Sequence, residues 1–330
     1  MPGWVQTWWR SSEHSAGFRR VTARDFAPFT IEVPATSANL GPGFDALGLA
    51  LDIVNTVRVE PSDHWDMVVV GEGAERIPTG DRNLMQRTIG TVARRSGVQL
   101  PPARLLCTHA IPLARGLGSS SAAIVAGLLV ANHLGADRPQ DELLSLAAEL
   151  EGHPDNVTPA LLGGIQACAM ADGRVVHARI PMPRPLSLAL YVPDFPMPTR
   201  EARQVVPRRI DIHDAVYNIS RVALLVAALA SGDFGALSSG TEDMVHQPPR
   251  MRLFPSMAVL FHAALDAGAL GVYLSGAGST IAAFIDEQDG SVVGSRVAQA
   301  MADAATRDGL TGVSMVSAIR QTGAGLQDAA

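Results

Sequence analysis

Apolar residues recur along this chain with two periods, and the switches between them predict an ordered run of strands and helices. Residues 30–34 alternate and break at Pro34. Residues 47–60 are rich in β-branched side chains and predict one or two strands, and 67–70 a short strand ending at Gly71. Leu84, Thr88, Ile89 and Val92 fall at helical spacing, so 83–95 predicts a helix closed by Gly97. Residues 103–110 predict a strand and 122–134 a helix of small apolar residues. A helix opens at Asp137 and Pro139 and closes at Gly152. A short one opens at Pro159 and ends at Gly163 and Gly164, before a strand at 165–170. Prolines crowd 181–185, the best linker candidate. Beyond it come strands at 186–192, 272–275, 281–285 and 312–319, and helices at 214–230, 255–267 and 291–306. Strands and helices mix without a strict βαβ rhythm, which favours α+β over a doubly wound sheet.

Length and composition narrow this picture. The 330 residues suggest two domains, and 47% apolar content is ample for their cores. Net charge is −6 with no basic block, so no nucleic-acid partner is expected. Cys107 and Cys168 lack metal-ligand spacing and read as buried thiols of a reducing compartment. The apolar runs 122–131 and 222–230 fall short of a membrane span, and no signal peptide is legible, so a cytoplasmic location is expected and no membrane partner. Residues 1–27, with Trp4, Trp8 and Trp9, predict a flexible N-terminal extension.

Four polar, glycine-rich segments interrupt the apolar pattern: PATSANLGPGFD at 34–45, PLARGLGSSSA at 112–122, EGHPDN at 151–156 and LSGAGS at 274–279. The second is the most informative. Gly116 and Gly118 can bring backbone close to a ligand, and Ser119, Ser120 and Ser121 then lead into a helix. Free N–H groups and the positive dipole end meet there, which makes an anion site, with phosphate the usual occupant. The plain alternative is a serine-capped helix. It is not a Walker loop, because the lysine of that motif is missing; all 26 basic residues are arginine. Arg203 and Arg250 offer planar forks suited to a carboxylate, against the alternative of solvated arginines, and Arg252 is the nearest decoy. Asn39 and Asp45 are also ordinary turn residues, and Gly276 and Gly278 also fit a β-turn between two strands.

These segments, in this order and spacing, resemble the GHMP small-molecule kinase superfamily over roughly residues 30–320. PATSANLGPGFD, EGHPDNV, PTREAR and QPPR together are similar to the branch that phosphorylates homoserine. The resemblance implies an N-terminal domain like ribosomal protein S5 domain 2 (28–183, nucleotide-binding) and a ferredoxin-like C-terminal domain (184–330), with the active site between them. It implies an alcohol-acceptor phosphotransferase of threonine biosynthesis that uses ATP and Mg²⁺ on L-homoserine, and a homodimer is compatible with it. Carried over residue by residue, Pro112, Leu113, Ala114, Arg115, Gly116, Leu117, Gly118, Ser119, Ser120, Ser121 and Ala122 would hold the nucleotide, with adenine near Asn83. Asn39, Asp45, His153, Asn156, Thr199, Arg203 and Arg250 would contact the substrate, Arg203 and Arg250 clamping its carboxylate. Glu151 with Ser120 (or Ser119) would hold Mg²⁺, with Glu149 the rival. Gly276 and Gly278 would form a second wall.

The catalytic set this implies is Asn156, Glu151, Ser120 and Arg203. Some GHMP kinases use an aspartate near 155–156 supported by a lysine, a pair this lysine-free chain cannot form. Asn156 would then orient the hydroxyl, its proton leaving to phosphate or water, with Asp155 the alternative. Two rivals are a mevalonate-type kinase and a non-catalytic binding protein of the same fold. A mevalonate site needs no partner for an ammonium, and a binding protein could lose Glu151 or the serines; this chain keeps all of them.

Overall fold

The computed structural model describes residues 19–20, 26–287 and 290–327. Most of the expected 1–27 extension, including its tryptophans, lies outside them. Two sheets organise the rest. The first contains β1 (Phe29–Ala38), β2 (Leu47–Pro61), β3 (Asp66–Gly71), β4 (Ala103–His109), β5 (Ile165–Ala171) and β6 (Arg174–Ile180). The second is antiparallel and contains β7 (Leu186–Pro193), β8 (Gly271–Leu274), β9 (Ile281–Asp286) and β10 (Gly312–Ala318), in the order β8-β9-β7-β10. Residues 181–185 join the two. The chain then returns, and β11 (Gly325–Leu326) pairs with β1, so the last strand lies in the first sheet.

The helices are α1 (Leu84–Ser96), α2 (Ser119–Ala131), α3 (Gln140–Glu151), α4 (Pro154–Leu162), α5 (Thr199–Gln204), α6 (Ile212–Ser231), α7 (Gln247–Arg250), α8 (Met257–Asp266) and α9 (Gly290–Arg307). Local chemistry sets their ends. Asn83 Oδ1 accepts from the Gln86 N–H to start α1, and Gly97 closes it at φ 64°. Asp211 starts α6 by accepting from the His213 N–H.

Two predicted elements need correction. Pro34 does not end its strand. The pairing of β1 with β2 shifts between Pro34 and Ala35, and this bulge accommodates a residue that has no N–H to donate. The short helix opens at Pro154 rather than Pro159. Proline suits a first turn, whose N–H groups have no intrahelical partner. The polar segment at 151–156 is therefore the junction of α3 and α4. Strand β6 was not predicted at all; most of its residues are exposed, so it lacks a buried apolar face.

One hydrophobic core runs through both sheets. Ile31, Val57 and Leu105 of the first, Leu128 of α2, and Leu188, Leu190 and Phe284 of the second belong to one contiguous cluster. A second cluster fills the far side of the second sheet, where Tyr191 and Ile281 meet Met257 and Leu260 of α8 and Met301 of α9. Helix α2 is apolar all round, as a helix buried in a core must be. The stretch from Ser119 to Ala136 and helix α6 are each long and apolar enough to cross a membrane by length and composition (mean hydropathy 1.3). The first is 61% buried within the fold, and α6 22%.

Gly48 fixes where α4 sits. A Cβ there would lie 1.8 Å from the Asp155 carbonyl oxygen, so β2 and α4 touch backbone to backbone. Gly48→Ala should destabilise the protein by about 1–3 kcal/mol, the usual cost of overpacking. A denaturant melt reads this, and an unchanged midpoint would contradict the close approach.

Candidate active site

The four polar segments converge on one cavity of about 380 Å³ between the two sheets. One wall is the turn before α2. Ala114, Gly116 and Gly118 all have positive φ there (53°, 76° and 70°), and no side chain caps the helix. The first N–H groups of α2 are therefore left for a ligand, and the helix dipole adds to their pull on an anion. The opposite wall comes from the second sheet. Gly276 and Ala277 line the cavity, and the two glycine turns touch. A Cβ on Gly116 would lie 2.1 Å from the Ser275 carbonyl oxygen. Ser275 Oγ donates to the Gly116 carbonyl at 2.7 Å.

Glu151 ends α3 facing this turn. Its Oε1 accepts from Ser120 Oγ at 2.6 Å and Ser121 Oγ at 3.0 Å. Glu149 instead forms a bidentate pair with Arg95 on the outer surface, at 2.6 and 2.7 Å. One carboxylate among two hydroxyls is a set of hard oxygen donors, so these residues fit Mg²⁺ beside a phosphate chain.

The other end of the cavity holds the charged groups. Asp45, at the end of the 39–45 loop, forms a bidentate pair with Arg203 of α5, at 2.6 and 3.0 Å. That hydrogen-bonded pair holds the Arg203 pKa above its ordinary value against the effect of burial. Asp45, His153 and Asp155 gather their ligand atoms within 4.8 Å of one another. His153 Nδ1 and Asp155 Oδ1 are 2.5 Å apart. Burial is the largest single influence on His153 and lowers its pKa, but the hydrogen bond and charge of Asp155, with the Glu151 charge, together outweigh it and the net shift is upward. Asn156 Oδ1 accepts from Thr36 Oγ1 at 2.8 Å, which orients its amide.

Arg250 is 1% exposed, yet among the described residues it hydrogen-bonds no carboxylate. Its Nε donates to the Ala202 carbonyl at 3.1 Å, and Nη1 to the Gly276 carbonyl and His246 Nδ1, both at 2.9 Å. Burial, with Arg203 nearby, pushes its pKa down to about 10. Phe44 lies between the arginines, its ring centroid 5.4 Å from the Arg203 guanidinium and 5.6 Å from that of Arg250.

Of the candidate residues, Asn39, Asp45, Asn83, Leu113, Ala114, Arg115, Gly116, Leu117, Gly118, Ser119, Ser120, Glu151, His153, Asp155, Asn156, Thr199, Arg203, Arg250 and Gly276 line the cavity. Pro112, Ser121, Ala122 and Gly278 do not. Ser121 and Ala122 fall on the core side of α2, where both are buried. Gly278 sits behind the wall, against Met197. The decoy Arg252 is exposed and also outside.

Some lining residues have spent their side chains on structure. Arg115 donates to the carbonyls of Leu113, Pro193 and Asp194. It is a strut between the sheets and leaves only its backbone to a phosphate. Asn39 donates to the Gly276 carbonyl and accepts from the Asp45 N–H. Asn83 caps α1 and donates to the Pro78 carbonyl. Unflagged lining residues include Phe44, Arg76, Arg82, His109 and an apolar end formed by Met67, Val69, Ile77, Pro78 and Cys107; Thr36, also unflagged, acts through its bond to Asn156. Thr36 and Phe44 lie inside a flagged motif; the apolar end comes from ordinary residues of β3, β4 and the loop at 77–78 and carries no local signal.

An uncapped helix start behind a glycine turn, a facing glycine wall and a two-sheet α+β frame are the features of a GHMP kinase. The models for the GHMP kinases N terminal domain and the GHMP kinases C terminal match residues 83–164 and 225–303. The chain belongs to the homoserine kinase family within that superfamily. It is 43% identical to a homoserine kinase of Moorella thermoacetica over 281 residues, covering 85% of this chain and 93% of that one. It is 48% identical to one of Lactiplantibacillus plantarum over 255 residues, covering 76% and 85%. The crystal structure of homoserine kinase from Cytophaga hutchinsonii superposes with a TM-score of 0.82 at 29% identity, covering 92% of this chain and 98% of that one. The family carries with it ATP as the phosphoryl donor.

Gly118 has no room for a side chain. A Cβ there would meet Thr36 Oγ1 at 2.0 Å, and its φ is 70°. Gly118→Val should abolish ATP binding by calorimetry while circular dichroism stays native. Unchanged affinity in the folded variant would mean that this turn does not cradle the phosphates.

Proposed function

We propose that this protein transfers the terminal phosphoryl group of ATP to the side-chain hydroxyl of L-homoserine, forming O-phospho-L-homoserine for threonine biosynthesis. The observation that carries the substrate assignment is the buried Arg250 guanidinium, which has no carboxylate partner, in a cavity that also holds the Arg203–Asp45 pair. A buried charge of this kind needs an anion. The amino-acid carboxylate supplies it, bridging Arg250 and Arg203. The substrate ammonium then replaces part of the bond between Arg203 and Asp45, in the pocket where Asp45, His153 and Asp155 meet. Mevalonate brings the carboxylate but nothing for that acidic pocket.

The remaining roles follow from position. The N–H groups at the start of α2 hold the phosphate chain, and the apolar end beside Asn83 takes the purine. Glu151 and Ser120 are the residues that would hold Mg²⁺, which neutralises phosphate charge when bound. Asn156, fixed by Thr36, orients the hydroxyl. A new O–P bond forms to the substrate oxygen as the bond to ADP breaks. The hydroxyl proton leaves to a phosphate oxygen or water, because a loose phosphoryl transfer depends on alignment and charge neutralisation more than on a strong base. Asp155 is less suited to that task, since its Oδ1 is engaged by His153. Cys107 and Cys168 are both free and buried, which supports a reducing compartment and a cytoplasmic location.

Coupled ADP release should appear with ATP, Mg²⁺ and L-homoserine and not with mevalonate. Losing a charge-assisted hydrogen bond costs on the order of 2–3 kcal/mol, or roughly a 30- to 150-fold fall in kcat/KM. Arg250→Leu and Arg203→Leu should each show it toward homoserine and lose little toward a homoserine ester, whereas Arg252→Leu changes neither. Equal losses on acid and ester would assign these arginines to ATP or to the fold.

A further inference from the structure

His246 lies behind the cavity wall, fully buried, and the function proposed above does not use it. It immediately precedes α7, which carries Arg250. Its Nε2 is 2.6 Å from the Gly41 carbonyl oxygen, in the loop that ends in Asp45. A carbonyl can only accept, so Nε2 carries a proton. Its Nδ1 is 2.9 Å from Arg250 Nη1, and a guanidinium can only donate, so Nδ1 presents a lone pair. One donor and one acceptor on the same ring define a neutral imidazole in the Nε2–H tautomer.

The surroundings agree. Asp243 lies 3.7 Å from Nε2, but its carboxylate accepts the backbone N–H groups of Val245, His246 and Gln247 and the Asn218 amide. Burial, with the Arg250 charge beside it, pushes the His246 pKa down to about 4 despite Asp243 and Asp45. Phe44 stacks on the ring, centroids 5.2 Å apart and planes at 21°, and the same Phe44 faces both arginines.

We propose that His246 is a positioning residue for substrate carboxylate recognition: as a neutral bridge between the Gly41 carbonyl and Arg250 Nη1, it turns the Nη2 edge of Arg250 into the cavity. Nε and Nη1 are held by Ala202, Gly276 and His246, so Nη2 is the part of the fork left for a ligand. The same bridge ties the 39–45 loop to α7, so the ammonium-reading Asp45 and the carboxylate-reading Arg250 move as one unit. The inference rests on the amino-acid reading of the cavity, but the bridge itself does not.

Two measurements separate the bridge from that reading. A histidine ¹⁵N spectrum of the full chain at pH 7, assigned by comparison with His246→Gln, should show Nε2 protonated and Nδ1 bare. An imidazolium, or a proton on Nδ1, overturns the bridge whatever the substrate is. For kinetics, His246→Leu removes both hydrogen bonds at similar size, whereas His246→Gln keeps one donor and one acceptor. His246→Leu should raise KM for homoserine roughly 10- to 100-fold. Its KM for ATP and its kcat/KM toward the homoserine ester should stay within about threefold, and His246→Gln should restore most of the loss. Equal losses on acid and ester, or no rescue by His246→Gln in a folded protein, would reduce His246 to a packing residue. No homoserine turnover by the wild-type protein would instead remove the substrate reading and leave the spectrum as the test of the bridge.

Discussion

A guanidinium buried without a carboxylate is the constraint on which this structure turns. Taking a cation out of water costs several kcal/mol unless hydrogen bonds and an opposite charge replace its hydration. The fold supplies the hydrogen bonds to Arg250 from Ala202, Gly276 and His246, and a ring face from Phe44. It withholds the opposite charge. The nearest carboxylates are engaged elsewhere, Asp45 by Arg203 and Asp243 by backbone N–H groups. The protein thus carries a cost that a bound anion would relieve, and the proposed affinity for a carboxylate rests on what the fold has left undone.

Holding that charge near the open start of α2 requires the two sheets to be rigidly joined. Backbone contacts do this. The turn before α2 touches the 274–279 turn at Gly116 and Ser275, and the 39–45 loop touches the second sheet's layer at Gly41 and Thr241, where a Cβ would lie 2.2 Å from a carbonyl oxygen. A Cβ at either glycine would force these segments apart. Arg115 adds a side-chain strut to the carbonyls of Pro193 and Asp194. The glycines that looked like ligand-approach residues serve sheet-to-sheet approach as well, and the cavity lies between the walls they bring together.

The α+β class, most elements and all four polar segments were legible, because strand and helix periods are written in local spacing and glycine clusters stand out from an apolar background. The choice between Glu149 and Glu151 was legible in principle. Ala147 and Ala148 are on the buried face of α3, and Glu151 follows them at helical spacing of four and three, whereas Glu149 turns away. What local pattern could not carry was partnership across the chain. That Arg250 is buried while Arg252 is exposed depends on residues more than 200 positions earlier in the sequence. That Arg115 braces the fold depends on carbonyls near residue 194. Pro34 misled because a bulge, set by the partner strand, decides whether a proline ends a strand.

The central claim is that the site reads a carboxylate and an ammonium together. Calorimetric titration of the wild-type protein, in the presence of a non-hydrolysable ATP analogue, with L-homoserine and with the amino alcohol that lacks its carboxylate tests this most directly. The account predicts that homoserine binds at least roughly 30-fold more tightly, the worth of one charge-assisted hydrogen bond to the buried arginine. Equal affinities would show that Arg250 does not await a carboxylate, and would contradict the account.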